Sequence, residues 1–464
     1  MPDKYKITCD LFTLDYKDDL QVLYAPKLGF VCAVNHDMIN LLAQLDTLDI
    51  AALNHEQKAA LDYLAQKGVL NGSKEITLSK SLPEKFTPAM VTLFPTNQCN
   101  LRCRYCYASA GDKPPEFMDF SCAKGSVDLV INNLGQLNRK TLNLGFHGGG
   151  EPLLPWDFIR RTVEYAKEQC EKKGLELSVF SATNGVLSEK KLEWIIKHFK
   201  NLNISFDGLP HVQDYHRPMP GKKGSFEFVN NTMKFLDDHD FQYGIRNTIS
   251  SYNVEIMEES MDYIAENYKS RQVHFEPLFF CGRCKTSSSL MPDLKLFESS
   301  FRKCESKSRE YNMFFTYSGS RLETLTDSFC GVSNDNFAVT CSGHITTCYE
   351  ITSLDDPKSE TFFLGRIDNK GNLFIDNNKR EFLHSLTVNN LPFCQDCFAR
   401  WHCAGDCPLK LGHTDYKGNR GHGRCELNRQ LTRTRLISLL EGTYYNPLMN
   451  NFQPGKNPKE KQNE

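Results

Sequence analysis

Three cysteines within a short segment, Cys99-x3-Cys103-x2-Cys106, stand where few other residues could explain them. Three thiolates on one loop can wrap three irons of a [4Fe–4S] cube, whose ligands are normally cysteine sulfurs. No fourth cysteine is near in sequence, so one iron keeps an open position, as catalytic metal sites require. The alternative is a zinc site completed from elsewhere, although zinc favours paired C-x2-C knuckles. A second concentration follows far downstream: Cys330, Cys341, Cys348, the run Cys394-x2-Cys397-x5-Cys403-x3-Cys407, and Cys425. The chain has 18 cysteines, and MPDKYKITCD lacks the apolar centre of a signal peptide. A cytoplasmic location is therefore expected, where thiols stay reduced and clustered cysteines read as metal ligands rather than disulfides. Isolated Cys9, Cys32, Cys122, Cys170 and Cys304 read as packing residues.

These ligands need elements to hold them. From Ala89 to about Phe280, strand-like runs (Val91–Pro95, Thr141–Phe146, Glu176–Ala182, Leu202–Asp207, Gln242–Ile249 and Val273–Leu278) alternate with helical stretches. Such alternation predicts parallel strands in a full or partial barrel, with the active site at their C-terminal ends. The cysteine loop directly follows the first of these strands. Residues 285–325 read as mostly helical and polar. From Cys330 to Cys425 long periodic segments are scarce, so bound metal is expected to organise the chain.

Upstream, Ile7–Leu14, Leu20–Tyr24 and Phe30–Val34 read as short strands, Asn35 as a cap, and Met38–Leu45 and Glu56–Lys67 as helices. A length of 464 residues exceeds one core. The expected units are 1–85, 86–310, 311–435 and a disordered tail over 436–464. A net charge of −2 and no long apolar run give no reason to expect nucleic acid or membrane as partner.

The C-x3-C-x-aromatic-C loop after a first barrel strand resembles the signature of the radical S-adenosylmethionine (SAM) superfamily. That resemblance implies that Cys99, Cys103 and Cys106 hold a cluster whose open iron chelates SAM, with Tyr105 near the adenine. His147-Gly148-Gly149-Gly150-Glu151-Pro152 resembles the superfamily's GGEP motif, which implies that Gly149, Gly150 and Glu151 receive SAM's amino group. Asn184, Ser205 and Arg217 are further SAM candidates, the last two by similarity to an SxDG…R stretch. A strand-end turn with a surface salt bridge is the bland alternative. Arg246 is an anion-binding candidate on the next strand, or simply a barrel-wall arginine.

Seven downstream cysteines, with Gly343 among them, resemble the SPASM pattern. The resemblance implies one auxiliary cluster on Cys330, Cys348 and Cys407, with Cys341 the candidate fourth ligand, and another on Cys394, Cys397, Cys403 and Cys425. Two structural zinc sites on these sulfurs are the alternative. The expected fold class is α/β: a partial (β/α)6 TIM-like radical SAM barrel, a small N-terminal α+β winged-helix-like unit, and a cysteine-rich SPASM iron–sulfur domain. Three [4Fe–4S] clusters and SAM are the expected cofactors. Cys281 and Cys284, at the end of the last candidate strand and facing the barrel mouth, are candidate catalytic residues, with a structural turn holding buried free cysteines as the alternative; Tyr349 and Glu350 are further candidates.

SPASM proteins mostly modify peptides, and the N-terminal unit resembles in outline a leader-peptide recognition element. The implied partners are a precursor peptide with a leader and reduced ferredoxin or flavodoxin as electron donor. The leading expectation is cross-linking of a ribosomally made peptide through a thioether or carbon–carbon bond. Alternatives are a peptide epimerase, an anaerobic sulfatase-maturing enzyme, and a zinc-bound scaffold that only binds peptide. In the sulfatase family an aspartate directly follows the cysteine equivalent to Cys348, whereas Tyr349 and Glu350 follow it here.

Overall fold

The structure, a computed structural model, describes residues 4–72, 77–78, 82–279, 282–286, 290–368, 371–410 and 424–443. The three N-terminal runs form an antiparallel sheet in the order β1 (Phe12–Asp15), β2 (Leu20–Ala25), β3 (Phe30–Asn35). The side chain of Asn35 accepts from the Met38 amide and starts α1 (His36–Ala43). Asn54 and Gln57 form a reciprocal capping box on α2 (His55–Gln66). Alternation along β2 sends Leu23 to a core with Leu41, Leu42, Leu61 and Leu64. It sends Val22 and Tyr24 to the opposite face, against Leu322 and Leu436.

That second core corrects the expected tail. The last helix spans Arg424–Leu440 and enters the stretch expected as disordered. Leu436 is 1% exposed there because the N-terminal sheet covers it. Residues 444–464 lie outside the described residues.

Six parallel strands follow in the expected places: β4 (Met90–Leu93), β5 (Thr141–Phe146), β6 (Glu176–Thr183), β7 (Asn201–Ser205), β8 (Tyr243–Ile249) and β9 (Gln272–Pro277). Their connections carry α3 (Phe120–Gln136), α4 (Trp156–Lys173), α5 (Glu189–His198), α6 (Pro210–His216), α7 (Phe226–Asp238) and α8 (Met257–Asn267). The sheet grows beyond this barrel on both edges. After α9 (Leu294–Glu310), β10 (Phe314–Thr316) pairs parallel with β9, a strand inside the segment expected to be helical. Three residues are too few for a periodic signal. Phe315 packing edge-on to Phe275 and stacked on Phe301 decides the conformation.

At the other edge β11 (Ala338–Val339) pairs parallel with β4, and β12 (His344–Thr346), β13 (Phe363–Ile367) and β14 (Leu373–Ile375) continue antiparallel. The cysteine-rich region thus extends an 11-stranded sheet. Its Phe337, Val339, Ile345 and Phe362 join the barrel's own core. Among the described residues no helix is long and apolar enough to cross a membrane.

Candidate active site

The C-terminal ends of the parallel strands open on a cavity of about 690 Å³ lined by the cysteine loop, the glycine-rich loop, inward residues of β6 to β9, and Tyr349, Glu350 and Lys410. The cysteine loop is held chiefly by its carbonyl oxygens. Arg102 donates to the carbonyls of Cys99 (2.7 Å), Leu101 (2.9 Å) and Gly111 (3.2 Å). Arg283 donates to those of Cys103 (Nη1, 2.9 Å) and Ala110 (Nη2, 2.7 Å), while its Nε and Nη2 also bind Asp112. Both clamps leave the sulfurs clear.

Cys103 lies near enough to Cys106 and Cys99 to feel their charge. Burial first, then these neighbours, push its thiol up to about 12 against the pull of Arg217. Burial likewise raises Cys99 to about 11, with Glu151 adding to the rise. Sulfurs raised in this way keep their protons near neutral pH unless a metal cation displaces them.

The glycine-rich loop lies alongside. Gly150 donates its amide to the Thr96 carbonyl at 2.9 Å, and Glu151 to that of Gln98 at 2.8 Å. A Cβ on Gly150 would stand 2.0 Å from the Gln98 oxygen, so only glycine permits this approach. Buried Glu151 accepts from Thr183 (2.7 Å), the Asn184 amide (2.8 Å) and the Leu153 amide (3.2 Å). A carboxylate offers about four acceptor sites, leaving one to face an ammonium group. Asn184 bonds Asn100 at 2.7 Å and reaches the Cys99 sulfur at 3.6 Å.

Asp207, just past β7, organises the opposite side. It accepts from the Tyr105 hydroxyl, from His216 at 3.1 Å, from Arg217 and from the Thr248 amide at 2.9 Å. Burial opposes its charge, but Arg217 and His216 hold its carboxyl well below the ordinary range. Tyr105 and Arg217 therefore arrive at the cavity already oriented. Ser205 lines the cavity in register with Arg246 on β8.

The downstream cysteines gather in two groups. Cys348 senses Cys407 and Cys330, and Cys407 in turn senses Cys330. Cys403 senses Cys394, Cys425 and Cys397. Asn428 donates to the Cys403 sulfur at 3.1 Å. Cys341 is not brought to the first group. It sits in the turn before β12, whereas Cys348 lies beyond that strand's other end, and its thiol binds Glu116 at 3.3 Å.

Tyr349 is fixed in the cavity wall by Thr92 (2.9 Å), Asn336 (3.4 Å) and the His147 ring. Glu350 meets Lys410 at 3.7 Å. Cys284 is buried, its thiol on the Phe279 carbonyl at 3.1 Å within an apolar cluster including Tyr105 and Leu278, a packing position. Cys281 lies outside the described residues. Arg283 and the role of Asp207 escaped sequence reasoning. The flanking C-x2-C drew attention to its sulfurs, and nothing local marks an arginine that serves a loop 180 residues earlier.

Comparison with known proteins agrees with this geometry. Residues 93–264 match the radical SAM superfamily. The chain is 27% identical over 296 residues to the uncharacterized protein MJ0907 of Methanocaldococcus jannaschii, covering 62% of this chain and 94% of that one. It is 26% identical to the cysteine-type anaerobic sulfatase-maturating enzyme of Clostridium novyi, over 44% of this chain and 52% of that one. With the sporulation killing factor maturation protein SkfB of Bacillus subtilis the identity is 28%, over 39% and 41%. The chain thus spans about half or less of the last two. The fold matches native anSMEcpe with bound AdoMet at a TM-score of 0.61 and 16% identity, over 76% of this chain and 100% of that one. It matches Streptococcus suis SuiB bound to S-adenosylmethionine at 0.51 and 14%, over 90% and 99%.

Proposed function

From the premise that this chain is a radical SAM enzyme, residues 93–264 carrying that superfamily's domain, we propose that it modifies a ribosomally made peptide, forming a thioether or carbon–carbon cross-link. The superfamily implies a [4Fe–4S] cluster and SAM; the donor types fit both, with the three loop sulfurs lining one cavity, although among the described residues no three of them stand close enough to share a single metal ion. In this reading Cys99, Cys103 and Cys106 hold the SAM-cleaving cluster. Tyr105, Gly149, Gly150, Glu151, Asn184, Ser205 and Arg217 seat SAM. Cys330, Cys348 and Cys407 hold one auxiliary cluster, with no fourth sulfur from Cys341. Cys394, Cys397, Cys403 and Cys425 hold the other, for three clusters in all.

When bound, these groups supply a 5′-deoxyadenosyl radical that takes a hydrogen atom and a sink for the electron that cross-linking leaves behind. The chain's residues do the rest. Arg102 and Arg283 hold the cysteine loop by its carbonyls. Glu151 keeps one acceptor site for an ammonium, and the Asp207 network fixes Tyr105. Glu350, beside Cys348 and exposed to the same cavity, is placed to receive a proton from a bound peptide.

The observation that carries the reading is that one cavity joins the SAM-side loops to the residues that follow Cys348. The relationship to SkfB, a maturation protein, supports a peptide as substrate. The three-stranded N-terminal sheet leaves β1 and β3 as edges, the geometry a leader peptide uses to add a strand. Reduced ferredoxin or flavodoxin is the proposed electron donor.

A second reading, formylglycine formation, is favoured by the Clostridium novyi relative. Tyr349 opposes it, because the residue after Cys348 is a tyrosine held in the wall. The test is the intact mass of a short cysteine-containing peptide encoded beside this gene, after anaerobic co-expression. Loss of two hydrogens per link is expected. Unchanged mass with deuterium gained in heavy water indicates epimerisation, and replacement of a cysteine sulfur by an aldehyde oxygen indicates formylglycine. An unaltered peptide in both waters, from enzyme that cleaves SAM, overturns the peptide reading.

A further inference from the structure

Among the described residues, three lysine or arginine side chains line the cavity: Arg217, Arg246 and Lys410. Two are paired. Arg217 holds Asp207 at 3.0 Å, and Lys410 faces Glu350 at 3.7 Å. Arg246 has no carboxylate within ion-pair distance among the described residues. The cavity's own carboxylates are engaged elsewhere. Glu151 is bound by Thr183 and the Asn184 amide, and Glu276 by Arg424 (2.9 Å), Ser318 (2.7 Å) and His274 (3.0 Å).

The position of Arg246 follows from strand register. On β8, Gly244, Arg246 and Thr248 share the face toward the cavity, which Ile245 also borders. Arg246 pairs across with Ser205 on β7 and His274 on β9, which places it in the middle of the inner wall. Its strand neighbours Ile245 and Asn247 are 2% and 0% exposed, whereas Arg246 is exposed, and the space it is exposed to is the cavity. Its charge reaches across that space. It contributes, after burial, to holding His147 and His274 in their neutral forms. A guanidinium in this position keeps its water only while the cavity is empty. Once reactants displace that water, an unpaired buried charge costs several kcal/mol. A counter-charge carried in by a reactant relieves that cost, and the planar fork of an arginine matches the two oxygens of a carboxylate.

We propose that Arg246 is the receptor for a reactant carboxylate. The source is an acidic side chain or the C-terminus of the bound peptide. The peptide source rests on the function proposed above.

The test uses cluster-reconstituted enzyme and its Arg246→Gln and Arg246→Lys variants in anaerobic calorimetry. N-acetylglutamate α-methylamide is titrated into SAM-saturated enzyme, with the glutamine analogue as neutral control, and SAM is titrated separately. A peptide-side receptor predicts that the glutamate probe binds more tightly than its control. Its affinity falls at least tenfold in R246Q and is partly restored in R246K, while SAM affinity is unchanged. A tenfold loss of SAM affinity in R246Q, with the probe unaffected, overturns the assignment to the peptide. Unchanged affinity for both in R246Q overturns the proposal. Because the readout is binding, a retained Arg246-dependent glutamate affinity beside an unmodified peptide would sink only the cross-linking reading.

Discussion

Arg217 donates to Asp207 through two nitrogens, Nε to Oδ2 at 3.0 Å and Nη2 to Oδ1 at 3.3 Å, and both side chains are buried. The same carboxylate receives the Tyr105 hydroxyl from the cysteine loop and the Thr248 amide from β8. One aspartate thus joins the cysteine loop, 102 residues earlier, to Arg217 and to β8. Asp207→Asn keeps the shape but leaves Arg217 as an uncompensated buried charge. The expected cost is about 3 kcal/mol, read as a lowered denaturant midpoint under anaerobic conditions. SAM cleavage by the folded variant is expected to fall as well, because Tyr105 loses its anchor.

Arg283 is expected to matter more to the first cluster than its sequence position suggests. Arg283→Ala removes two donors from carbonyls of the cysteine loop at a cost of about 3 kcal/mol, each charged hydrogen bond contributing roughly 1.5 kcal/mol. Iron content after reconstitution should drop, with the absorbance of the remaining clusters retained. A variant that binds iron as fully as the parent would show the clamp to be dispensable.

Neighbouring glycines give opposite expectations. The Cβ of Gly150→Ala would meet the Gln98 backbone at 2.0 Å, which no side-chain rotation can relieve. That of Gly149→Ala would lie 3.4 Å from the nearest oxygen, almost ordinary contact. The thermal midpoint of G150A should fall by several degrees, corresponding to about 1–3 kcal/mol, and that of G149A should hardly move.

His147 makes stability depend on pH. Burial, helped by Arg246, lowers its pKa from 6.5 to about 4. Below pH 6.5 the unfolded chain takes up a proton that the folded chain refuses. Stability is therefore level above that pH and lost as pH falls toward 4. Between pH 7.5 and 5.5 the loss is about 1.4 kcal/mol. His147→Phe should remove that part of the slope in urea midpoints at the two pH values. Equal slopes would count against a neutral buried imidazole.

Cysteine replacement separates the downstream ligands. Cys348→Ala should lower iron by about four atoms per chain, the content of one cubane, whereas Cys341→Ala should leave iron unchanged. Equal losses would restore Cys341 as a ligand.

What sequence alone determined here is local or strictly spaced. The cysteine loop, the glycine-rich loop and the ends of six strands are legible because their chemistry lies within a few residues and their periodicity repeats. Grouping of the distant cysteines was legible only through resemblance to a known pattern. Cys341 shows the limit of that route. Its separation from Cys348 along the chain is small, but β12 lies between them and carries them to opposite ends. β10 and β11 are two or three residues long and exist because a sheet edge was there to accept them.

Tertiary structure decided the charges. Glu276 pairing with Arg424 and Glu350 with Lys410 are contacts between distant segments, Asp207 meets Arg217 across a strand-to-helix turn, and with those pairs made Arg246 has no carboxylate partner among the described residues. Ion pairing depends on distances of a few ångströms between side chains, and sequence separation carries no information about those distances once strands are brought into register.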